Sequence, residues 1–271
     1  MKPIPSKIIS IKDEGRDRKT ITVLNYEIAK RAMPGQFVMV WIPGVDEIPM
    51  SLSHIGDQEI SFTVHKVGEA TEALHKMKVN EYIGIRGPYG KGFKEVEGRI
   101  MIVGGGTGMA PLMPLLRRII RNNQNDIIVI NGAKSVDEII FNEELRDLSD
   151  KGLIKYLPAT EDGSYGYKGS VITVLEDVLN KVSGKIDEIY VCGPELMIKK
   201  TIDIALKRGI HVQAAIERYM KCAIGICGSC TIDPLGLRVC IEGPVLPLET
   251  LVKITELGVY KRDSSGLKRL I

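Results

Sequence analysis

The sequence has no apolar run that would cross a membrane as a helix, which takes about eighteen residues. It also lacks a large excess of either charge, since 37 lysines and arginines face 34 aspartates and glutamates. This balance argues against a nucleic-acid partner and against attraction to an anionic membrane. Residues 1–7 hold no apolar run of signal-peptide length, so a reducing, cytoplasmic compartment is expected.

Histidine is scarce as well, with four in 271 residues and none in the spacing of a metal-ligand pair. No combination of nucleophile and base stands out, so we predict no catalytic residue for substrate chemistry. The hydrophobic and charged fractions, 44% and 26%, are ordinary for a globular protein. The length accommodates two domains and a small module.

Cysteine is present five times, and four of the five lie close together, in the order Cys222-x4-Cys227-x2-Cys230-x9-Cys240. Plant-type ferredoxins hold a 2Fe-2S cluster with this kind of spacing. Gly225 and Gly228 suit such a loop, because glycine accepts positive φ and leaves room for N–H groups to point at sulfur. We therefore predict that these four cysteines hold a 2Fe-2S cluster and that the chain carries single electrons.

The same four cysteines could instead hold zinc, form disulfides or be unrelated core residues. Zinc usually takes its ligands in paired Cys-x2-Cys or Cys/His sets, whereas here Cys240 stands alone and no histidine is near in sequence. Structural disulfides would need an oxidising compartment. The fifth cysteine, Cys192, is interpreted as a buried residue at a strand end rather than a metal ligand.

Residues 1–97 alternate short apolar runs with turn signals. The runs fall at 8–11, 20–24, 36–41, 60–64 and 82–86, separated by Pro34-Gly35, Pro43-Gly44 and Gly87-Pro88. Strands at this spacing predict a small antiparallel β-barrel. One helix, over residues 70–77, is expected among them.

From residue 100 the pattern changes to a regular alternation. Strands are predicted at 100–103, 127–131, 154–157, 188–192 and 212–217, and helices from 111, near 137–148, at 171–182 and at 195–208. This order predicts a doubly wound parallel α/β sheet. We therefore expect a multi-domain chain, with a barrel over 1–97, a nucleotide domain over 98–216, a small cysteine module over 217–247 and a tail over 248–271.

A glycine-rich turn connects the first strand of the sheet to the helix that follows. It comprises Gly104, Gly105, Gly106, Thr107 and Gly108. Backbone N–H groups and a helix N-terminus form a site for phosphates there. The last glycine of the G-x-G-x-x-G fingerprint is missing. A tight connection without a ligand would explain one or two of the glycines but hardly four, so a nucleotide site is predicted.

A second candidate for the same site is Cys192, Gly193 and Pro194, which end a predicted strand. Open α/β sheets bind their ligands at the carboxyl ends of the strands. We interpret Gly193 and Pro194 as a wall against the nicotinamide.

Together with Pro34-Gly-Gln-Phe37 in the barrel, these motifs resemble the ferredoxin:NADP reductase superfamily. More narrowly, the chain resembles the electron-transfer subunits of B-type dihydroorotate dehydrogenase, through Gly68-Glu-Ala-Thr71, Gly87-Pro-Tyr-Gly-Lys-Gly-Phe93, Gly132-Ala-Lys-Ser-Val-Asp-Glu138 and Glu217 with Met220. The resemblance implies FAD in the barrel, NAD on the sheet domain, and docking to a catalytic subunit that carries FMN. Ile224 and Ile226, beside the predicted metal site, indicate that docking occurs near the cysteine loop.

The same resemblance implies which residues hold FAD. The flavin would be lined by Pro49, Met50, Ser51 and Leu52, flanked by Thr63, Val64 and His65, and its pyrophosphate capped by Ala70 and Thr71. Ser51 and Thr71 could equally be ordinary strand or cap hydroxyls, and His65 could equally be a surface residue. The superfamily has an arginine three residues before the serine, where this chain has Ile48. The lost contact would then fall to Lys66, Arg86 or Lys91.

The implied function is a relay of electrons from the partner's FMN through 2Fe-2S and FAD to NAD, in pyrimidine biosynthesis. Alternatives are a related subunit of an NADH-dependent ferredoxin:NADP oxidoreductase, a sulfide dehydrogenase or a soluble hydrogenase. An alternative of another class is a nucleotide-binding regulatory protein with a structural zinc module. The sequence does not distinguish NAD from NADP, because Lys134 would either meet a 2′-phosphate or face solvent.

Overall fold

The computed structural model describes residues 2–122 and 125–271. Its first part contains six strands and two short helices: β1 (Ile4–Asp13), β2 (Arg18–Leu24), α1 (Tyr26–Ala29), β3 (Phe37–Ile42), β4 (Asp46–Ile55), β5 (Glu59–His65), α2 (Glu69–Lys76) and β6 (Tyr82–Tyr89). The strands close into an antiparallel barrel in the order β1-β2-β5-β4-β3-β6. Alternate side chains, such as Val38 and Val40 of β3, fill its core. The predicted barrel is confirmed, with β4 as a strand that the sequence did not reveal.

The second part contributes six strands to a seven-stranded sheet that is flanked by helices. Its elements are β7 (Gly98–Gly105), α3 (Met109–Asn122), β8 (Asn125–Ala133), α4 (Asn142–Asp150), β9 (Lys155–Thr160), β10 (Tyr167–Lys168), α5 (Val171–Lys181), β11 (Glu188–Cys192), α6 (Glu195–Arg208) and β12 (His211–Ala215). The strand order is β10-β9-β8-β7-β11-β12, and all these pairs are parallel. The predicted doubly wound sheet is confirmed, and its order reverses between β7 and β11.

The sheet is buried on both faces. In β7, Ile100 and Ile102 belong to the core beneath α3, whereas Met101 and Val103 belong to the core beneath α5 and α6. This alternation follows from the two-residue period of a strand. An uninterrupted apolar run is therefore what a strand covered by helices on both sides requires.

The third part follows β12 and carries the cysteines. It comprises β13 (Thr231–Ile232), β14 (Leu237–Arg238), α7 (Val239–Glu242), β15 (Val245–Pro247), α8 (Leu248–Leu251), β16 (Tyr260–Arg262) and β17 (Lys268–Leu270). β15 returns to the large sheet as an antiparallel edge strand beside β12. β16 and β17 form a separate hairpin. Among the described helices, none is long and apolar enough to span a membrane.

The linker between barrel and sheet is fixed by side chains of two sheet strands. Gln213 of β12 accepts a hydrogen bond from the Lys94 N–H and donates one to the Lys94 carbonyl, both at 2.8 Å. Tyr190 of β11 donates to the same carbonyl at 2.9 Å and accepts from the Val96 N–H at 3.0 Å. Phe93 packs edge-on against the Tyr190 ring. The two domains are therefore joined by a segment with little freedom to bend.

A second set of contacts joins the barrel to the sheet domain. Arg18 of β2, only 6% exposed, forms an ion pair with Glu138 at 2.8 Å. The Glu14 carboxylate accepts a hydrogen bond from the Phe141 N–H at 3.1 Å. These contacts fix how the barrel faces the carboxyl ends of the sheet strands.

Candidate functional site

A cleft of about 520 Å³ opens at the point where the strand order of the sheet reverses. The turn that follows β7 forms its floor through Gly105, Gly106, Thr107 and Gly108. Gly193 and Pro194, after β11, form a wall. Ligands of open α/β sheets bind at this switch point. The structure thus brings together the two sequence motifs that predicted a nucleotide site.

Glycine is needed at positions 106 and 108 of the turn for different physical reasons. A Cβ atom on Gly108 would collide with the backbone of Cys192 and Gly193, so this glycine lets the two turns pack together. Gly106 has φ +55 and a Cβ there would meet no protein atom within 4 Å. Gly106 therefore borders open space in the cleft, as close approach of a ligand to the backbone requires.

Cys192 does not line the cleft in the described part of the chain, and its thiol lies in the core beneath α3. Burial raises the pKa of this thiol, which keeps it protonated. Gly104 is likewise packed inward, against Met109. Of the predicted dinucleotide residues, Cys192 and Gly104 are therefore placed to support the site rather than to touch a ligand.

The barrel contributes to the cleft as well. His65, the last residue of β5, and Arg18 both line it. β5 also lies within 8 Å, between Cα atoms, of the turn that begins at Gly106. Burial and the nearby Arg18 charge lower the pKa of His65, which favours the neutral imidazole. A ligand in the cleft would therefore meet groups from both domains.

The predicted flavin residues occupy one side of the barrel. Residues 46–51 of β4 pair with β3, whereas pairing with β5 is confined to Leu52, His54 and Ile55. The other edge of β4 at Pro49, Met50 and Ser51 is therefore open. Open backbone groups beside a strand are suited to hydrogen bonds with a flavin ring. This edge fits FAD.

Several of these side chains face away from that edge. Leu52 and Val64 are fully buried in the barrel core, and the Thr63 hydroxyl pairs with Thr20 at 2.9 Å. At these three positions only backbone groups are available to contact a cofactor.

The helix α2 offers a site for phosphate at its first turn, which contains Ala70 and Thr71. The Thr71 hydroxyl is engaged within the helix cap, since it accepts from the N–H groups of Val67 and Gly68 and donates to the Gly68 carbonyl. A Cβ on Gly68 would meet no atom within 4 Å. The N–H groups of the first turn, next to this open space, are the available donors.

Of the three candidates to replace an arginine at Ile48, Lys66 and Arg86 have side-chain partners of their own. Lys66 pairs with Asp17 at 3.0 Å. Arg86 forms a two-pronged pair with Glu47 at 2.7 and 2.6 Å. The Lys91 backbone bonds to Gly243, beside the cysteine module. Ile48 itself packs against the barrel core.

The four clustered cysteines form two pairs. The Cys227 N–H donates to the Cys222 sulfur at 3.4 Å, and the Cys240 N–H donates to the Cys230 sulfur at 3.5 Å. The Ile224 N–H also points at the Cys222 sulfur, at 3.5 Å. Backbone N–H groups directed at sulfur stabilise a thiolate and tune the potential of a cluster.

The pairing bears on the kind of metal site. Within residues 2–122 and 125–271, no three candidate ligands converge as they would around a single ion. A 2Fe-2S cluster shares four thiolates between two irons, so pairs are what it needs. Two pairs of thiols are a donor set that fits such a cluster.

Two of the clustered thiols, Cys227 and Cys240, have pKa values shifted in opposite directions. Desolvation acts against ionisation of Cys227, but hydrogen bonds with Ser229 and Cys222 outweigh it and lower its pKa to about 6. Burial, together with Cys230, raises the pKa of Cys240 to about 12. Cys227 is thus better prepared than Cys240 to bind metal as a thiolate.

The cysteine loop is fixed on two sides. Arg238 donates to the Gly225 carbonyl at 3.0 Å and pairs with Glu242. A Cβ on Gly225, which has φ +76, would collide with Ile241. On the barrel side, Arg86 donates to the Cys222 carbonyl at 3.4 Å. The outer surface of the loop is apolar, with Ile226 80% exposed and Ile224 42% exposed.

Four charged residues of the cleft were not recognised from the sequence: Arg18, Glu161, Lys200 and Lys261. Each is far in the chain from the glycine turn, and no local motif marks it. Lys134 was recognised and lines the cleft. Glu217, noted only as part of a motif, lines it too.

Comparison with known proteins gives the following similarities. The family described as "Oxidoreductase NAD-binding domain" matches residues 102–203. The family described as "Iron-sulfur cluster binding domain of dihydroorotate dehydrogenase B" matches residues 217–252. The second match contains all four clustered cysteines, and the first contains the glycine turn.

Two full-length relatives carry the same name, "Probable dihydroorotate dehydrogenase B (NAD(+)), electron transfer subunit". The relative from Methanocella arvoryzae is 42% identical, and the alignment covers the full length of both chains. The other, from Methanocaldococcus jannaschii, is 40% identical over 98% of both chains. A solved structure of an NADH-dependent reduced ferredoxin-NADP oxidoreductase superposes with a TM-score of 0.82, at 25% identity over 93% of this chain and 91% of that one.

Proposed function

Because the chain belongs to the family of electron transfer subunits of dihydroorotate dehydrogenase B, we propose that the cleft, the open edge of β4 and the cysteine loop are its cofactor sites. The protein is an oxidoreductase subunit of a hetero-oligomer, and dihydroorotate is oxidised in the FMN-containing catalytic partner. When bound, the 2Fe-2S cluster exchanges single electrons, FAD collects them in pairs, and NAD+ takes up the pair as hydride.

This chain's own residues bind and orient these groups. In the proposal, Cys222, Cys227, Cys230 and Cys240 supply thiolates and the backbone around them supplies N–H groups. The β4 edge from Pro49 to Ser51 and the first turn of α2 hold FAD. The turn Gly105 to Gly108, with Gly193 and Pro194, holds the dinucleotide. The proposed domains have the boundaries expected from the sequence, 1–97, 98–216, 217–247 and 248–271.

The observation that carries the proposal is the position of the barrel. It contacts the cysteine loop through Arg86 and Cys222, and it borders the dinucleotide cleft through His65. A flavin on the barrel would therefore lie between the group that carries single electrons and the group that takes a hydride. That order is the one the function requires.

The alternatives are less well supported. The NADH-dependent ferredoxin-NADP oxidoreductase shares the fold but only 25% of the sequence, whereas relatives at 42% and 40% identity carry the dihydroorotate dehydrogenase name. A structural zinc module disagrees with the matched iron-sulfur family. A cytoplasmic location is also proposed, because cluster thiolates need a reducing compartment.

The test is co-expression with the catalytic subunit. The purified complex should contain iron, sulfide and acid-extractable FAD, and it should reduce NAD+ with dihydroorotate. Cys227→Ser should abolish NAD+ reduction but spare reduction of a dye that takes electrons at the partner's FMN. NAD+ reduction that survives loss of the cluster would contradict the proposal, as would FMN in place of FAD in this subunit.

A further inference from the structure

The C-terminal hairpin reaches the dinucleotide cleft. Lys261, the central residue of β16, lines the cleft beside Glu217. Desolvation raises the pKa of the Glu217 carboxyl, and the Lys261 charge opposes that rise, which places the two side chains near each other. In the described part of the chain, Lys261 is the cleft's single contribution from the segment that follows the cysteine module.

The orientation of Lys261 follows from its neighbours in the strand. Tyr260 donates a hydrogen bond to the Asp233 carboxylate at 3.0 Å, and Arg262 pairs with the same carboxylate at 2.6 Å. Successive side chains of a strand point to opposite sides. With residues 260 and 262 turned towards Asp233, Lys261 is turned the other way, into the cleft.

Asp233 belongs to the cysteine module, since it lies between Cys230 and Cys240 in the chain. Hydrogen bonds with Tyr260 and Arg262 lower the pKa of Asp233 and so keep it ionised. Lys268 of β17 adds its charge at 3.7 Å. The hairpin is thus held by one carboxylate of the module.

The base of the hairpin has a second anchor, which is buried. Glu256 accepts hydrogen bonds from the Arg218 side chain at 2.8 Å and from the Asp233 N–H at 2.9 Å. Arg218 also pairs with Glu195, the first residue of α6, at 2.9 Å. Glu195 in turn accepts from the Gly258 N–H at 3.0 Å. This network fixes the hairpin to the wall of the cleft.

The paired and unpaired charges that line the cleft indicate a role for Lys261. Arg18 is paired with Glu138, and Glu195 is paired with Arg218. Within residues 2–122 and 125–271, the lining charges that remain outside ion pairs are three lysines and two glutamates: Lys134, Lys200, Lys261, Glu161 and Glu217. The pyrophosphate of a dinucleotide carries two negative charges. Lys261 is therefore one of three lysines in the cleft that are available to meet this negative charge.

We propose that Lys261 is a binding residue for the anionic pyrophosphate portion of the dinucleotide, and that Asp233 is the positioning residue that holds it in the cleft. The proposal rests on the function proposed above, and it deepens that function by connecting the dinucleotide site to the cysteine module. Lysine binds phosphate as a point charge, so its contribution is electrostatic and sensitive to salt.

The first test compares Lys261→Met with a matched control, Lys253→Met. Lys253 is an exposed lysine of the same segment that does not line the cleft. Binding of NAD+ and of ADP-ribose, which has the pyrophosphate but no nicotinamide, is measured by calorimetry on the oxidised, cofactor-loaded complex. Lys261→Met should weaken both ligands about fivefold and flatten the salt dependence of binding. Lys253→Met should change neither.

The second test examines Asp233 with a double-mutant cycle. Asp233→Asn should weaken both ligands by releasing the hairpin, with iron and FAD content unchanged. In the double variant with Lys261→Met, the loss should be no larger than for Lys261→Met alone, because both changes remove the same contact. A general loss of structure would instead add to the effect of Lys261→Met.

The outcomes separate this inference from the proposed function. Failure of the wild-type complex to bind NAD+ and ADP-ribose would overturn the dinucleotide site itself. Normal wild-type binding with no change in Lys261→Met would overturn the role of Lys261 alone. An effect confined to NAD+ would show that Lys261 senses the nicotinamide charge, which also contradicts a pyrophosphate contact.

Discussion

Arg86 and Cys222 are joined across the boundary between the barrel and the cysteine loop, with the Arg86 guanidinium donating to the Cys222 carbonyl at 3.4 Å. The same guanidinium holds Glu47 in a two-pronged pair and bonds to the Tyr89 hydroxyl at 3.1 Å. Arg86 thus positions the loop relative to the barrel. It is unsuited to the pyrophosphate role that the sequence left open for it.

Replacing Arg86 with Met should leave Glu47 partly buried and unpaired. We expect a loss of about 2 kcal/mol in the free energy of unfolding, while iron content stays normal because all four cysteines remain. Chemical denaturation with iron analysis measures both. Arg121→Met, at an exposed position of α3, serves as the control and should cost little. Equal effects of the two substitutions on the free energy of unfolding would show that the contact between barrel and loop does not stabilise the protein.

Each clustered cysteine should be needed for iron, whereas Cys192 should not. Serine at 222, 227, 230 or 240 removes a thiolate from one of the two pairs, so iron content and visible absorbance should fall sharply. Cys192→Ser places a hydroxyl in an apolar core and should lower stability by about 1–3 kcal/mol without loss of iron. A normal cluster in Cys240→Ser would refute the ligand assignment.

The two glycines of the turn should respond differently to substitution. Gly106→Val enters open space, so the fold should survive with a cost of about 1 kcal/mol for the positive φ, but flavin reduction by NADH should be abolished. Gly108→Ala collides with the backbone at Cys192 and should destabilise the whole protein. Thermal unfolding and stopped-flow reduction distinguish the two effects. Unchanged reduction by NADH in Gly106→Val would count against the site.

Glu188 should make stability depend on pH. Burial raises its pKa to about 7 from an ordinary value of 4.5. The unfolded state therefore loses this proton near pH 4.5 and the folded state near pH 7, so the stabilising contribution is present below pH 4.5 and is lost as pH rises to about 7. Glu188→Gln should be more stable than wild type at pH 8 by about 1–3 kcal/mol, and nearly equal to it at pH 4. The check is denaturation at both pH values; a difference independent of pH would rule out this titration.

Sequence-based prediction succeeded where the signal is local. Each successful signal lies within a short stretch of sequence: the cysteine spacing, the glycine turn, and the runs at 188–192 and 195–208. For the two runs, β11 and α6 have the predicted bounds. β4 was missed because it contains Pro49, and proline is depleted from strands. The structure resolves this, since Pro49 lies where β4 has β3 as its one neighbour, so no ladder bond is lost on the open edge.

The remaining features depend on contacts between distant parts of the chain. Arg18 and Glu138 are 120 residues apart, and Lys261 reaches the cleft only because Asp233 and Glu256 fold the tail back. Single charged residues occur throughout any soluble protein surface, so their identity carries no signal until the partner is known. The tail, with no motif of its own, therefore revealed its place only in three dimensions.

The fixed linker between the barrel and the sheet affects how the protein works. Four hydrogen bonds from Tyr190 and Gln213 hold Lys94 and Val96, so reorienting the barrel against the sheet would break them together. In the proposed function, the separation between a flavin on the barrel and a dinucleotide in the cleft is then set by the folded chain. In the proposed function, NAD+ therefore meets a cleft whose two sides are already in place.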